Sequence, residues 1–359
     1  MQRLVITTGG TGGHIFPALA VAEEVQRRNP DAEVLFIGGQ YGREAEFAAQ
    51  AGVKFLGLPV RGVLGRGLKG IAALFSMLRA LGIAWKELGR FRPEAVVGFG
   101  GYAGFAPVMA ARLRGIPCAV HEQNSVAGAS NTLLSKFCKR VFLSFPDSCG
   151  SFAKEKCIFT GNPVRGSIRE LSESTVEAPS RRVLIVGGSL GAHALNTAVA
   201  EELPRLKDAG YSLWHQTGKA DFDAMHTAYA DAGCTGEDFR VAPFIQDMKA
   251  AYAWADLVLC RAGATTVAEL AVAGRPSILI PFPFATHDHQ TVNASHLERL
   301  GAAVLLPQSE LSTRSLFDEL EKLFANPETI TEMGQAAKGF GAPNAAALLV
   351  DAIEAMTQA

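Results

Sequence analysis

Two short apolar runs in the chain each end in a glycine-rich turn that leads into a helical pattern. Residues 4–8 read LVITT and precede GGTGGH at 9–14, and residues 182–186 read RVLIV and precede GGSLGA at 187–192. A buried strand, a glycine turn and a helix, in this order, begin the doubly wound α/β folds. Because this start occurs in each half of a 359-residue chain, the sequence predicts two such domains.

Short apolar runs alternate with segments of helical period along the rest of the chain. Further predicted strands cover residues 33–37, 95–97, 117–120, 140–143, 211–214, 257–259 and 277–280, and predicted helices include 16–28, 44–51 and 315–324. This alternation is typical of β-α units around parallel sheets. Residues 166–182, rich in serine and glutamate, interrupt it and predict a linker.

The predicted architecture is α/β, with two Rossmann-like doubly wound domains that face a cleft. The first domain is expected at residues 1–165 and the second at 166–343. A last amphipathic helix at 344–356 is expected to pack back on the first domain. Its predicted apolar stripe consists of Leu348, Leu349, Ala352, Ile353 and Met356.

Charge divides unevenly between the two halves. Residues 1–165 have 20 Lys and Arg against 11 Asp and Glu, whereas residues 166–359 have 14 against 24. The positive surplus predicts an anionic partner for the first half. Nucleic acid is not predicted to be that partner, because no aromatic-basic platform or binding motif is present.

The cysteines and the first residues bear on the compartment. Six cysteines without a Cys-x-x-Cys pair indicate small core residues in a reducing compartment rather than a disulfide or zinc framework. A buried strand is predicted where a signal peptide would have its apolar stretch, and no apolar run reaches the ~18 residues of a spanning helix. We therefore predict a cytosolic protein that touches a membrane.

The turn at residues 9–14 is the first candidate site. Glycines at a helix start let backbone N–H groups approach a phosphate or sugar closely. Four glycines and two polar side chains in six positions favour a ligand pocket over a simple tight turn. The candidate binding residues are Thr11, Gly12 and Gly13, and His14 ends the turn.

Two common nucleotide sites are disfavoured. Residues 98–103 match the Gly-x-Gly-x-x-Ala pattern of a dinucleotide site, but they follow the wrong strand for a domain start. Among the strands that follow the glycine turns, only one ends in an acidic residue, Glu122, that could bind a ribose. No lysine follows the glycines as a Walker A loop requires.

A further candidate site lies at residues 260–269, CRAGATTVAE, where a predicted strand enters a helix. Backbone donors of Ala264, Thr265 and Thr266 suit a diphosphate. The carboxylate of Glu269 can accept hydrogen bonds from two ribose hydroxyls. A capped helix with a surface glutamate is the alternative, but Arg261 before the turn favours a phosphate site.

With these motifs the chain resembles the MurG family, the GT-B-fold UDP-N-acetylglucosamine transferases of peptidoglycan synthesis that convert lipid I to lipid II. Seven segments carry the resemblance, in the right order and across almost the whole chain: residues 9–14, 98–102, 121–124, 161–165, 187–189, 244–248 and 261–269. The resemblance implies a GT-B glycosyltransferase, peripheral on the cytoplasmic face of the cell membrane. Its substrates are then UDP-GlcNAc and lipid I, the undecaprenyl-pyrophosphoryl-MurNAc-peptide.

The resemblance also implies roles for individual residues. The backbone of Ile245 reads uracil, Glu269 holds the ribose and Gln290 holds sugar hydroxyls. Arg165 and Asn124 close the cleft. The diphosphate is bound by Ser189 and by the helix that starts with Ala264, Thr265, Thr266, Val267 and Ala268. His289 receives no role, because some relatives have a second glutamine there.

Sugar transfer needs stabilisation of the departing pyrophosphate. Metal-dependent transferases often use an Asp-x-Asp pair, but Asp221 and Asp223 lie at a predicted helix start, where capping and solvation explain them. His193, His226 and His296 lack the spacing of metal ligands. We predict no metal and no cofactor, with helix N–H groups and Ser189 stabilising the leaving charge.

Transfer also needs a base for the proton of the incoming hydroxyl. His14 lies in the glycine turn, and histidine is suited to proton transfer near neutral pH. Glu122 is the alternative base, whereas His121 is predicted to be structural. A single direct displacement inverts the α-linked donor to a β-linked product.

Residues 61–92 form a basic, apolar segment with one acid, Glu87, and with Trp85 among its apolar side chains. Its basic residues are Arg61, Arg66, Lys69, Arg79, Lys86, Arg90 and Arg92. This mixture fits a surface drawn to anionic lipid, and a core helix with a solvated basic face is the alternative. The charge of the first half and a lipid-linked acceptor favour contact with an anionic membrane surface.

The predicted function is inverting transfer of N-acetylglucosamine to the 4-hydroxyl of the MurNAc group of lipid I. Three alternatives stay open. One is another UDP-sugar lipid glycosyltransferase, such as a diacylglycerol glycosyltransferase. The second is a UDP-sugar epimerase of similar fold, which would release UDP without an acceptor. The third is a non-catalytic nucleotide-sugar sensor, which would bind without turnover.

Overall fold

The computed structural model describes residues 1–10, 12–60, 69–174, 179–188, 191–311 and 313–358, and the side chains of 69–74 are outside this description. The chain divides into two compact units. Unit one comprises Met1–Gly166 and Pro343–Ala359, and unit two comprises Ser167–Ala342. Each unit contains one parallel sheet.

The first unit has a sheet of seven parallel strands in the order β3-β2-β1-β4-β5-β6-β7. These are β1 (Arg3–Thr7), β2 (Glu33–Gly39), β3 (Lys54–Leu58), β4 (Ala95–Gly98), β5 (Cys118–Glu122), β6 (Arg140–Leu143) and β7 (Cys157–Phe159). Its helices are α1 (Gly12–Arg28), α2 (Glu44–Gln50), α3 (Lys69–Phe91), α4 (Gly101–Leu113) and α5 (Ala129–Ser135), and α6 (Gly166–Arg169) leads into the second unit.

The second unit has a sheet of six parallel strands in the order β10-β9-β8-β11-β12-β13. These are β8 (Arg182–Val186), β9 (Ser212–Gln216), β10 (Phe239–Ala242), β11 (Leu257–Cys260), β12 (Ser277–Leu279) and β13 (Ala303–Leu305). The helices are α7 (His193–Asp208), α8 (Phe222–Asp231), α9 (Met248–Trp254), α10 (Ala264–Ala273), α11 (His289–Arg299), α12 (Leu316–Phe324) and α13 (Pro327–Phe340); α14 (Ala345–Gln358) returns to the first unit.

The central strands explain why the sequence shows continuous apolar runs. Every residue of β4, β5 and β11 is buried, as expected of parallel strands covered on both faces. Because neither face of these strands meets solvent, their sequences do not alternate between apolar and polar residues. The predicted fold class, two Rossmann-like doubly wound domains, is confirmed.

Helix α14 packs against α1 in the first unit. The amino-terminal ammonium lies 3.0 Å from Oε1 of Glu354, and Nη1 of Arg28 lies 2.6 Å from Oδ1 of Asp351. The predicted apolar stripe is wrong at Leu348, which is 51% exposed. Val350 is buried instead, so the buried face of the helix is rotated by part of a turn from the predicted face.

Two predicted boundaries also differ. Helix α1 begins at Gly12, four residues before the predicted start, so that His14 is in its first turn. Pro17 is the sixth residue of this helix and lies inside it. The predicted linker contains α6, and its Ile168 is fully buried.

Candidate functional site

In the first sheet the strand order reverses between β1 and β4. Ligands of doubly wound sheets bind beyond the carboxyl ends of the strands at such a reversal. Here the N–H of Gly9, after β1, donates a 3.3 Å hydrogen bond to the carbonyl oxygen of Gly100, after β4. Two of the glycine turns in the sequence therefore meet at this point.

The contact between these turns requires glycine. Gly101 has a φ of +74°, and a Cβ there would lie 1.9 Å from the carbonyl oxygen of Gly9. A Cβ on Gly100 would lie 3.3 Å from Cε1 of His14. The ring of His14 thus packs against bare backbone.

His14 is partly buried and belongs to a chain of hydrogen-bonding groups. Its Nδ1 lies 2.8 Å from Oε1 of Gln123, and Nε2 of Gln123 lies 3.0 Å from Nδ1 of His121. Nε2 of His121 lies 3.1 Å from the carbonyl oxygen of Gly161. Burial lowers the pKa of His121 to about 4, so this ring is neutral near neutral pH.

Glu122 is 1% exposed and accepts four hydrogen bonds. Its Oε1 accepts from the backbone N–H of Asn124 at 3.0 Å and from the Asn124 side-chain amide at 3.3 Å. Its Oε2 accepts from the N–H of Gly128 at 3.0 Å and from Nδ2 of Asn131 at 2.9 Å. The carboxylate therefore holds the loop that follows β5.

Three other predicted residues of the first unit, Gly12, Gly13 and Arg165, lie near the start of α1. Gly12 and Gly13 are the first two residues of that helix, whereas Thr11 lies outside the described residues. The guanidinium of Arg165 lies 4.4 Å from the ring centroid of Phe16, two residues after His14. The carboxyl edge of the first sheet thus carries His14, Glu122, Asn124 and Arg165.

In the second sheet the order reverses between β8 and β11. Helix α10 follows β11 and has Gly263 at its N-cap, which supplies no side-chain hydrogen bond. The first N–H groups of a helix have no partner within the helix. Ala264, Thr265 and Val267 are buried in this helix, whereas Thr266 and Ala268 are partly exposed. Ser189 lies outside the described residues.

Glu269 is buried, so the alternative of a surface glutamate is wrong. It is 5% exposed, and its Oε2 accepts a 3.1 Å hydrogen bond from the hydroxyl of Tyr252. Tyr252 itself is 1% exposed and lies in α9. A tyrosine hydroxyl therefore orients the carboxylate from the neighbouring helix.

Side-chain amides fix two other predicted segments. The N–H of Ile245 donates to Oε1 of Gln216 at 2.8 Å, and Nε2 of Gln216 donates to the carbonyl oxygen of Gly188 at 3.1 Å. The N–H of Phe282 donates to Oε1 of Gln290 at 2.9 Å. With this oxygen occupied, Gln290 can offer its amide N–H groups to a sugar hydroxyl.

One interpretation of the sequence is corrected here. Asp221 is the N-cap residue of α8, but its side chain makes no capping hydrogen bond; its Oδ2 accepts from Nδ2 of Asn196 at 2.8 Å instead. Nη1 of Arg261 donates to the carbonyl oxygens of Ile280 and Pro281. Nδ1 of His289 lies 2.8 Å from the carbonyl oxygen of Thr286 in its own loop.

Metal coordination is not supported by a cluster in the described ranges. No group of three or more His, Cys, Asp or Glu residues there could hold a metal ion. The Asp221 carboxylate faces Asn196, and its Oδ1 lies 3.1 Å from Nδ1 of His193.

Four polar residues at the two sites have no role predicted from the sequence. Gln123 and Gln216 are buried at the carboxyl ends of β5 and β9. Gln123 lies in the segment 121–124 that carries the family resemblance, whereas the only signal for Gln216 is a polar residue that closes an apolar run. Tyr252 and Glu44 gave no signal. Oε1 of Glu44, a buried carboxylate, accepts from the N–H of Gly10 at 3.1 Å and so supports the first glycine turn.

Helix α3 is amphipathic where its side chains are described. Ala80, Ala84 and Leu88 are buried, whereas Phe75 and Leu78 are 68% and 57% exposed. Trp85 is 41% exposed, and the guanidinium of Arg114 lies 4.2 Å from its ring centroid. Arg61 and Arg66 lie outside the described residues, and so does the side chain of Lys69. Within the described part of the chain, no helix is long and apolar enough to cross a membrane.

Comparison with known proteins places both units in context. The family models named glycosyltransferase family 28 N-terminal domain and glycosyltransferase family 28 C-terminal domain match residues 4–143 and 182–349. The UDP-N-acetylglucosamine--N-acetylmuramyl-(pentapeptide) pyrophosphoryl-undecaprenol N-acetylglucosamine transferase of Nitratidesulfovibrio vulgaris (strain DP4) is 55% identical over 98% of this chain and 97% of its own length. The enzyme of the same name from Syntrophus aciditrophicus (strain SB) is 42% identical over 99% of this chain and 98% of its own length.

Two solved structures match the chain over almost its full length. Acinetobacter baumannii MurG matches with a TM-score of 0.75 and 35% identity, covering 99% of this chain and 100% of that one. A UDP-GlcNAc 2-epimerase from Neisseria meningitidis, bound to UDP-GlcNAc, matches with a TM-score of 0.69 and 17% identity, covering 99% of this chain and 100% of that one. The second likeness shows a shared fold alone.

Proposed function

The chain belongs to the MurG family of glycosyltransferases, and from this premise we infer that it transfers N-acetylglucosamine from UDP-GlcNAc to lipid I, giving lipid II. The observation that carries this function is 55% identity over 98% of the chain to an enzyme of that name. The resemblance drawn from the seven sequence motifs is thereby confirmed. The epimerase alternative has only a shared fold at 17% identity in its favour.

The donor is assigned to the second unit. The start of α10 offers N–H groups to the diphosphate, and its positive dipole end favours the charge that develops on departing UDP. Glu269, buried beside Tyr252, binds the ribose hydroxyls. The backbone of Ile245 is assigned to uracil, Gln290 to sugar hydroxyls, and Ser189 to the diphosphate with α10. We propose that no metal is needed for this step.

His14 is assigned as the base. This assignment is supported by the hydrogen bonds that each candidate base already makes. Both carboxylate oxygens of Glu122 accept two hydrogen bonds each, so neither is available to take a proton. His14 has Nδ1 bound to Gln123 and a second ring nitrogen for the reaction. The 4-hydroxyl oxygen of MurNAc attacks the anomeric carbon, its proton passes to His14, and the bond to UDP breaks with inversion.

Lipid I is assigned to the first unit, with its glycine turn, Asn124 and Arg165 as acceptor contacts. The membrane surface is assigned to α3, whose exposed Phe75, Leu78 and Trp85 accompany Arg79 and Lys86. Apolar and basic side chains on one helix surface suit the boundary of an anionic bilayer. We place the protein at the cytoplasmic face of the membrane as a peripheral enzyme, and we assign it no nucleic-acid partner.

A transfer assay with a panel of acceptors tests this function. Purified protein is incubated with radiolabelled UDP-GlcNAc and a short-chain lipid I analogue, diacylglycerol or no acceptor, with and without EDTA. Label is expected in the lipid I product only, and EDTA is expected to leave turnover intact. Transfer to diacylglycerol, or restoration of EDTA-treated enzyme only by a divalent cation, would refute the acceptor or the metal-free mechanism, respectively.

A further inference from the structure

The chain of hydrogen bonds that runs from His14 through Gln123 to His121 ends on carbonyl oxygens, which can only accept hydrogen bonds. Nε2 of His121 faces the carbonyl oxygen of Gly161, and Nε2 of Gln123 lies 3.2 Å from the carbonyl oxygen of His121. A carbonyl oxygen accepts hydrogen bonds and never donates one. Nε2 of His121 therefore carries a proton, and the nitrogen end of the Gln123 amide faces His121.

The remaining protons in the chain follow from this end. His121 is fully buried, and because burial lowers its pKa to about 4 it stays neutral, with one N–H and one lone pair. With the proton on Nε2, the lone pair of His121 is on Nδ1, where it accepts from Gln123 at 3.0 Å. The oxygen of Gln123 then faces His14 at 2.8 Å.

We propose that Gln123 and His121 are positioning residues that hold His14 in the tautomer protonated on Nδ1, with the lone pair on Nε2. An amide oxygen only accepts, so Nδ1 of His14 must supply the hydrogen. In general, the hydrogen bond at one ring nitrogen sets the protonation of the other. This proposal rests on the proposed function, in which His14 is the base.

The arrangement matters for the proton transfer. As the bond forms between the 4-hydroxyl oxygen and the anomeric carbon, the proton moves to Nε2 of His14 and the electron pair of the broken bond leaves with UDP. A ring protonated on Nε2 could not accept that proton. The resulting imidazolium keeps its Nδ1–H bond to the neutral amide of Gln123.

The packing limits other arrangements. Gln123 is 1% exposed, and reversing its amide would set its oxygen against a carbonyl oxygen and a lone pair of His121. On the other side, the His14 ring lies against the backbone of Gly100. The sequence places His14 and Gln123 109 residues apart, so the fold alone creates the contact.

NMR of protein labelled with ¹⁵N-histidine tests the proposal directly. Long-range ¹H–¹⁵N correlation spectra distinguish the two neutral tautomers, and a His14→Asn spectrum assigns His14 among the eight histidines. At a pH where imidazoles are neutral, His14 of the wild-type protein should show a protonated Nδ1. A protonated Nε2 there would overturn the proposal.

Variants then connect the tautomer to turnover. Gln123→Leu should shift His14 toward the Nε2-protonated form and lower kcat at least about tenfold, with an unchanged KM for UDP-GlcNAc. Gln216→Leu is the matched control, a buried strand-end glutamine of the second unit, and should leave the His14 spectrum unchanged.

The His14 tautomer and the turnover of His14→Asn together distinguish failure of this proposal from failure of the proposed function. If His14 is protonated on Nδ1 but His14→Asn turns over normally, the positioning chain stands and the base assignment fails. If His14→Asn is inactive but the ring is protonated on Nε2, the base assignment stands and the role of Gln123 fails. Wild-type kcat in Gln123→Leu would also overturn the role of Gln123.

Discussion

The hydroxyl of Tyr252 donates a 3.1 Å hydrogen bond to Oε2 of Glu269, and both side chains are buried in the second unit. The bond joins α9 to α10. A buried carboxylate needs hydrogen-bond donors, and a donor on a packed helix also fixes its direction. Tyr252 thus prepares Glu269 for the ribose that we assign to it.

Loss of this carboxylate should weaken binding of UDP. A hydrogen bond to a charged group contributes about 1.5–3 kcal/mol, so Glu269→Ala should lower UDP affinity by about tenfold or more. Tyr252→Phe should lower it less, because the carboxylate remains. Isothermal titration calorimetry measures both, with Tyr229→Phe, another buried tyrosine of this unit, as the control. Wild-type affinity in Glu269→Ala would remove Glu269 from the ribose site.

Glu122 should prove to be structural. In Glu122→Gln, an amide nitrogen replaces one carboxylate oxygen and faces donors, which should destabilise the first unit by about 1–3 kcal/mol. Thermal unfolding should show the loss, and the pH dependence of the remaining turnover should match that of the wild type. A variant of normal stability whose turnover no longer depends on a basic group would instead identify Glu122 as the base.

Two charges on α3 should contribute to membrane binding. Each of Arg79 and Lys86 is expected to add up to about 1 kcal/mol of attraction to an anionic surface. Replacing both with glutamine should reduce sedimentation with anionic vesicles and weaken the salt dependence of what remains. The matched control replaces Lys54 and Lys154, two exposed lysines of the same unit, with glutamine. Equal binding by the α3 variant and the wild type would contradict the membrane assignment.

Stability should fall as the pH falls below neutrality. Burial lowers the pKa of His121 to about 4 and of His215 to about 3, below the value near 6.5 of an unfolded chain. Below about pH 6.5 the unfolded state therefore binds protons that the folded state excludes, at up to about 1.4 kcal/mol per pH unit for each histidine. Melting temperatures should drop between pH ~7 and pH ~5. His215→Gln should drop less, and an unchanged slope in that variant would refute the assignment.

The glycine turns at the carboxyl ends of the strands, and the central strands themselves, could be predicted because they depend on local sequence. Strands β1 and β11 were predicted to within a residue, since continuous apolar runs and glycines record burial and close backbone contact. Strands β7 and β13 contain three residues each, and such short runs at a sheet edge carry no periodicity to read.

Partners distant in the chain could not be predicted. His14 was a candidate because of its glycine turn, but nothing local indicates that Gln123 binds its Nδ1. The same holds for Tyr252 and Glu269, because nothing in the local sequence indicates that the tyrosine hydroxyl binds this carboxylate. From the sequence, Glu269 could also have been a surface residue. A lone polar residue gives no sign of its orientation, which only the packing of the sheet and helices determines.

The most direct test of the proposed transfer is the structure of its product. UDP-GlcNAc labelled with ¹³C at the anomeric carbon is incubated with the protein and a lipid I analogue, and the product is examined by NMR. We predict a GlcNAc residue β-linked to the 4-hydroxyl of MurNAc, with one UDP released per linkage and none without acceptor. An α-linked product, or UDP and an epimerised sugar formed without acceptor, would contradict this prediction.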